Sequence, residues 1–413
     1  MDERALQGNP DGIAELMGKR ILLVEPFRLD YLRSMILYSA WLRKTLVAHG
    51  CQVETIMPAS FFARLRGRGA VGKYLGYLDK FLLFPLRLLW TARRYELVHV
   101  VDHGYAMYAH LLQHRRHLVT CHDVHAIRAA RGEIAAAHTG WSGSLLQSWI
   151  LSGLRAAQNI VCVSTQTAAE LQQLIAQPSE RISMIPNPLN REFRAGVEMS
   201  EGLRQKLGLL PGQRYFVHLG GSSWYKNRPM VLRILARLLQ KTEFSGMRLV
   251  LGGKPLNDAE WQLIRDLGIQ SNCIESPHVP DEELNGLYGQ AEALLFPSLS
   301  EGFGWPIIEA QACGCPVITS NRSPMKEVAG GAAILIDPED ADAAAEEIAR
   351  QWKRRDDLRR AGLENSHNFD SERIAERYAQ FYAAILRRDF PVRAKAGPGV
   401  ARSLADASSR ELL

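Results

Sequence analysis

The chain lacks the marks of several large protein classes. It has no run of about 18 apolar residues, the length a helix needs to cross a bilayer. Its first residues, MDERALQGNPDGIAEL, are polar and acidic, so no signal peptide is expected there. Cysteine is scarce, with six residues, at 51, 121, 162, 273, 313 and 315, and none in C-x-x-C spacing. That excludes a zinc ribbon and a disulfide framework, and predicts a reduced, cytoplasmic protein. Paired carboxylates of metal-binding type are also missing. The one D-x-D, Asp340-Ala-Asp342, stands where a helix is predicted to start, and N-capping explains it. No metal is expected to be required.

What is present is ordinary for a globular enzyme: 46% hydrophobic and 23% charged residues. A length of 413 residues predicts two domains. The net charge of +6 is uneven. Residues 1–195 carry 23 Lys and Arg against 15 Asp and Glu, a balance of +8, and the rest carry 27 against 29, a balance of −2. The first half therefore suits an anionic neighbour, such as nucleic acid or lipid headgroups, or else has a merely solubilising surface. The basic residues are not organised as a nucleic-acid reader, so no nucleic-acid partner is expected.

Short apolar runs alternate with helical patterns. RILLVEP, CQVETIMP, YELVHVVD, HLVTCHD, NIVCVST and RISMIPNPLN are predicted strands of a first half, which ends in a proline-rich linker. The pattern restarts with RYFVHLGG, MRLVLGGK, CIESPHV, ALLFPS, CPVITS and AAILIDP. Strands alternating with helices predict an α/β protein with two parallel sheets, each covered by helices on both faces. The expected division is a tail at 1–17, a first domain at 18–190, a second at 191–390 that includes the terminal helices, and a disordered tail at 391–413. Ligands of such sheets bind beyond the carboxyl ends of the strands, so two facing domains share a cleft.

The stretch SLSEGFGWPIIEAQACGCPVITS, from Ser298, carries the densest chemistry. ALLFPS reads as a strand, LSEGFG as its turn and WPIIEAQACG as a helix with Pro306 in its first turn. Gly302 and Gly304 let backbone amides approach an anion at the helix start. Glu301 and Glu309 could accept hydrogen bonds from two hydroxyl-bearing parts of one ligand. The competing reading is a capping Glu and a solvated one. For Lys226 the competing reading is a surface lysine, and for His122 a structural histidine.

E-G-F-G-W-P-I-I-E resembles the E-x(7)-E motif of retaining, nucleotide-sugar-dependent glycosyltransferases of the GT-B fold, the family-4 or group 1 type. The stretches VCVSTQTAAEL, MIPNPLN, HVPDEELNGLYGQAEALLFPS and AAILIDPED are similar to the family's neighbouring segments, and the likeness runs from about residue 20 to 385. It implies two Rossmann-like domains facing a cleft, and transfer of a hexose-type sugar from a nucleotide diphosphate to an acceptor hydroxyl with retention. It also implies that Glu309 binds the ribose and Glu301 contacts the transferred sugar. The donor would further meet Phe303, Gly304 and Ile308, and the loop HLGGSSWYKN would hold its diphosphate through Gly221, Ser222 and Lys226. The family often has an Arg before that Lys; here there is none, which leaves Lys226, backbone amides and Arg228. VTCHDVH resembles the first-domain histidine motif, with His122 positioning the donor sugar, and His103 and His125 structural or near the acceptor. His122, Lys226 and Glu301 are thus the expected catalytic residues. No cofactor is implied beyond the nucleotide sugar.

The first strand and loop depart from the family pattern. VEPFRLDYLRSMILYSAW has no Gly-Gly pair, so Arg28, Tyr31, Arg33 and Ser34 are expected to present side chains to an acceptor, a sugar or a lipid-linked glycan. The basic, aromatic stretch from Phe61 to Leu97 suits either an anionic membrane surface or a core helix with a solvated face. A sugar-nucleotide epimerase and a non-catalytic nucleotide-sugar scaffold are the alternatives to a transferase.

Overall fold

In a computed structural model, the described residues are 15–27, 30, 33–59, 61–62, 75–137, 139–176 and 179–387. The first sheet contains β1 (Arg20–Val24), β2 (Gln52–Ile56), β3 (Leu97–Val100), β4 (His117–Cys121), β5 (Asn159–Cys162) and β6 (Ile182–Met184). The second contains β7 (Tyr215–Leu219), β8 (Arg248–Gly252), β9 (Cys273–Ser276), β10 (Ala293–Phe296), β11 (Val317–Ser320) and β12 (Ile334–Ile336). All twelve predicted strands are present, and every pairing is parallel.

The central strands are mainly apolar because both faces are covered, with His99, Thr120 and His218 buried among the apolar residues. Leu22, Val24, Val98, Val100, Val119 and Ile160 enter one core, while Ile21, Leu23, Leu97, Leu118 and Val161 enter the core on the opposite face. The second sheet divides the same way, with Tyr215, Val217, Leu294 and Phe296 on one side and Phe216, Leu249, Leu251 and Leu295 on the other. Successive side chains of a strand point to opposite faces, so each strand feeds both cores.

Strand order sets where ligands go. The first sheet runs β2-β1-β3-β4-β5-β6 and the second β12-β11-β10-β7-β8-β9. The order reverses between β1 and β3 in one and between β7 and β10 in the other. At such a reversal the two following loops diverge to opposite faces and leave a crevice.

One expectation is corrected. The expected division places all the terminal helices in the second domain, but the last of them, Ser371–Arg387, packs on the first sheet. Ile374, Tyr378 and Tyr382 are fully buried against Tyr38, Leu42 and Leu118. Tyr38 and Tyr378 hydroxyls meet at 2.6 Å, Trp41 Nε1 donates to Ser371 Oγ at 2.6 Å, and Tyr382 meets His99 Nδ1. Burial lowers the His99 pKa to about 3, so the ring is neutral in this network. The chain therefore crosses between domains twice, near Ile185–Ser200 and again near Ser366–Ser371. Amphipathic periodicity shows that such a helix buries one face; it does not say against which sheet.

Candidate active site

The loops after β7 and β10, on either side of the second sheet's reversal, come together. Leu299 N donates to Tyr225 O at 2.8 Å. Asn227 takes φ +56, a conformation Asn tolerates better than most residues, and its Nδ2 donates to Pro297 O at 3.0 Å and Pro338 O at 2.7 Å. This clamp places Lys226 beside the turn that carries Glu301. Lys226 Nζ donates to both Glu301 oxygens, at 2.8 and 3.0 Å, and Ser298 Oγ donates to Oε1 at 2.8 Å. Glu301 is buried, and Lys226 keeps about a fifth of its side chain exposed. Lys226 Nζ also lies 5.0 Å from the centre of the Phe296 ring. A buried carboxylate is stable only with such partners. In the free protein, Glu301 therefore acts first as the holder of Lys226.

Gly304, at φ +110, ends the turn and opens the helix Trp305–Ala312, with Pro306 in the first turn and no side chain capping the amides. Glu309 lies one turn in. Its Oε2 accepts from the buried Tyr288 hydroxyl at 3.1 Å. Desolvation raises its pKa to about 7; the Tyr288 bond and the Arg191 and Lys226 charges pull the other way.

Glu309 faces a cleft cavity of about 520 Å³. Gly220 and Gly253 line it from the loops after β7 and β8, Pro277, His278 and Val279 from the loop after β9, and Ser34 and Leu37 from the first domain. This size and mixed lining suit a small-molecule ligand. Lys226 adjoins the cavity through Gly220, since a side chain built there would begin 3.5 Å from Lys226 Cδ. Arg191 also lines it, paired with Asp281 at 2.6 Å. Sequence reading missed Arg191 and the Pro277–Val279 loop. Arg191 had only its position just after the linker as a signal, and Pro277–Val279 fall in the last residues of the predicted strand CIESPHV, which the structure ends at Ser276.

The first domain closes on the same turn. His122 is buried after β4. Its Nε2 bonds Val101 O at 3.0 Å, and its Nδ1 has no hydrogen-bond partner among the described residues. Burial lowers its pKa, partly opposed by Asp102, so the ring is neutral. With Nε2 donating, Nδ1 is left as a buried, unprotonated acceptor. Gly302 packs directly on the His122 backbone and Asp123 Cβ, and its carbonyl accepts from Ser164 Oγ at 2.8 Å and Thr167 Oγ1 at 3.2 Å. His125 Nε2 meets Ser300 Oγ at 2.7 Å across the domain boundary. Thus His122, Lys226, Glu301 and the Phe303–Gly304 backbone belong to one neighbourhood.

Other expected residues fall elsewhere. Ile308 is fully buried in a core of the second domain, because neighbours on a helix point about 100° apart and Glu309 takes the cleft side; its side chain does not reach the donor. Gly221 and Ser222 stay in the loop after β7, but Ser222 lines a separate cavity beside the helix Arg228–Leu238. Arg228 is 1% exposed and committed to structure: it donates to Gly220 O at 2.7 Å and Lys254 O at 2.5 Å, and pairs with Glu260 at 3.4 Å. It braces the loop after β7, and its guanidinium is not free for a diphosphate. Arg28 and Tyr31 lie outside the described residues, as does the side chain of Arg33. Asp340 caps its helix, accepting from Asp342 N and Ala343 N. Among the described residues, no group of three or more His, Cys, Asp or Glu is arranged to hold a metal. No described helix is long and apolar enough to cross a membrane.

Residues 199–367 match the model of the family described as "Glycosyl transferases group 1", and residues 39–193 match that of "Glycosyltransferase Family 4". Over 273 residues, 65% of this chain and 68% of the relative, the sequence is 30% identical to O-antigen chain mannosyltransferase B of Escherichia coli. The chain belongs to the group 1 glycosyltransferases. It is also 28% identical over 255 residues to a D-inositol 3-phosphate glycosyltransferase of Nocardia farcinica, spanning 59% of this chain and 56% of that relative. Two solved structures share its fold. Sucrose-phosphate synthase from Thermosynechococcus elongatus has a TM-score of 0.68 at 18% identity, covering 89% of this chain and 99% of that one. Anabaena HepE in complex with UDP and glucose has 0.64 at 17%, covering 89% and 100%. The two parallel-sheet domains facing a cleft are therefore the GT-B fold. As a group 1 glycosyltransferase, the protein is a transferase of sugars.

Proposed function

We propose that this glycosyltransferase moves a hexosyl group from a nucleoside-diphosphate sugar to an acceptor hydroxyl with retention of configuration. The observation that carries the reading is the junction at the β7/β10 reversal. There a partly exposed Lys226, an uncapped helix N-terminus and the desolvated Glu309 lie side by side. The base lies along Pro277–Val279, and Glu309 accepts from the ribose hydroxyls. The diphosphate meets Lys226 and the amides around Gly304. Lys254 supplies a second positive charge in place of the missing loop Arg; its stem passes 3.8 Å from where a Gly221 side chain would begin. His122 Nδ1 accepts from a hydroxyl of the transferred sugar.

The acceptor hydroxyl attacks the anomeric carbon on the face from which the diphosphate leaves. The new C–O bond forms as the sugar–phosphate bond breaks, and the hydroxyl proton passes to the departing phosphate oxygen. Lys226 stabilises the charge that develops there. This chemistry asks no metal of the protein. Mannose is the first hexose to test, since O-antigen chain mannosyltransferase B carries it by name. The acceptor is a glycan, free or lipid-linked.

The test is incubation with UDP-, GDP- and ADP-hexoses and glycan acceptors, with the product's anomeric configuration read by NMR. One donor is expected to give a product of unchanged configuration. An inverted product overturns retention, and sugar isomerisation without acceptor replaces the transferase reading with an epimerase.

Affinity for the nucleotide sugar should depend on pH. The ribose hydroxyls favour ionised Glu309, whose pKa in the free protein is about 7. Binding therefore expels a proton below that pH, and affinity should fall as pH drops, by at most about tenfold per unit. It should level off above pH 7. The donor's diphosphate carries no proton in this range, so calorimetry reads Glu309 directly. Glu309→Gln should bind more weakly and show a flat profile; a wild-type affinity that rises on acidification contradicts the assignment.

A further inference from the structure

We infer that two helices of the first domain form one surface that docks on an anionic lipid bilayer, beside the acceptor side of the cleft. This rests on the reading of a lipid-linked acceptor, and its test is independent of donor binding.

The helix Phe84–Ala92 extends a π-helical turn at Asp79–Leu83. Phe84 and Leu88 enter the core, while Leu82, Leu86 and Trp90 remain 57–65% exposed. The helix Trp141–Ala156 buries Ile150 and Leu154 but leaves Trp141 83% and Leu145 61% exposed. Only tertiary structure joins them: the Phe81 and Trp149 rings pack with centroids 5.0 Å apart. Large apolar side chains are thus left outward on both segments, a concentration that marks an interaction site.

Charge selects the occupant. Residues 75–94 and 141–156 contain one acid, Asp79, and it is buried. Arg87, Arg93 and Arg94 are exposed. The Arg94 guanidinium stacks 3.9 Å from the centre of the Trp90 ring. Apolar and aromatic side chains bordered by arginine match the boundary between acyl chains and anionic headgroups. A second copy meeting this face about a two-fold axis would set arginines against arginines.

The surface also adjoins the cleft. Lys80 Nζ donates to both oxygens of Asp30, each at 2.7 Å, and Asp30 stands in the loop after β1. Tyr105, from the stretch after β3, bonds Asp30 as well. The docking surface therefore begins where the first domain's own reversal opens, and a membrane-held acceptor enters from that side.

Flotation of the full chain with phosphatidylcholine vesicles, with and without phosphatidylglycerol, tests this. Wild type should float with the anionic vesicles and be released by high salt. Leu86→Gln/Trp90→Gln and Trp141→Gln/Leu145→Gln should each lower partitioning by at least about tenfold at an unchanged melting temperature. Wild type that stays soluble with anionic vesicles overturns the inference, as do folded variants that float as wild type does. A wild-type dimer that these substitutions dissociate in sedimentation assigns the face to a second copy instead. Nucleotide-sugar affinity, measured on the same proteins, should not change; its absence in wild type would count against the donor site and leave the flotation result standing.

Discussion

Gly302→Ala should lower kcat/KM by roughly 100-fold while nucleotide-sugar affinity changes little. A Cβ at this position would sit 1.9 Å from His122 O and 3.1 Å from Asp123 Cβ. Its neighbour is backbone, so no rotamer change relieves the clash. Either the turn carrying Glu301 retreats or the domains part, and both move His122 away from the second-domain groups. The proposed base and ribose contacts, Pro277–Val279 and Glu309, lie away from this turn, so they survive. Ser164→Ala removes one of two hydroxyls donated to the Gly302 carbonyl and adds no atom, so its effect should be much smaller. Initial rates and calorimetry on both variants separate the cases. Full activity in Gly302→Ala would mean that this domain contact is dispensable for transfer.

Lys226→Met should abolish most turnover, by about 100- to 1,000-fold, through loss of the charge facing the leaving diphosphate. It should also destabilise the free protein, because Glu301 remains buried with Ser298 Oγ as its remaining donor among the described residues. A fully buried broken pair costs about 3–5 kcal/mol. With Lys226 partly exposed, about 1–3 kcal/mol is expected after solvent screening. Lys226→Met/Glu301→Gln removes the stranded charge, so the double variant should regain much of the stability and none of the turnover. Denaturant unfolding and rate measurements on the cycle decide it. Recovery of activity in the double variant would show that Lys226 serves only to neutralise Glu301.

Both predictions centre on EGFGWPIIE, which was legible from sequence because its chemistry is local. A strand, a glycine turn, a proline-started helix and two carboxylates are all read within about seventeen residues, Ala293 to Glu309. The strands were legible for the same reason: a buried parallel strand is a short apolar run whichever sheet it joins. Ile308 and Arg228 were misread where local position was ambiguous. Ile308 is one step from Glu309 along the chain but points into the core, and Arg228 follows the lysine loop yet turns inward to brace it. Arg191 lies more than a hundred residues from Glu309, and no spacing rule connects them.

The sequence alone determined the α/β class, the two-domain division of the sheets, the strand set, the turn holding Glu301 and Gly304, and the helix that carries Glu309. These follow from short-range periodicity and turn chemistry, which act over a few residues. Tertiary structure decided that the last helix returns to the first domain, that Lys226 and Glu301 share a partly buried ion pair, and that Gly302 touches His122. It also decided that helices fifty residues apart present one apolar, basic face. Each of these depends on which surfaces meet after the sheets form, and packing between distant segments leaves no periodic trace in the chain.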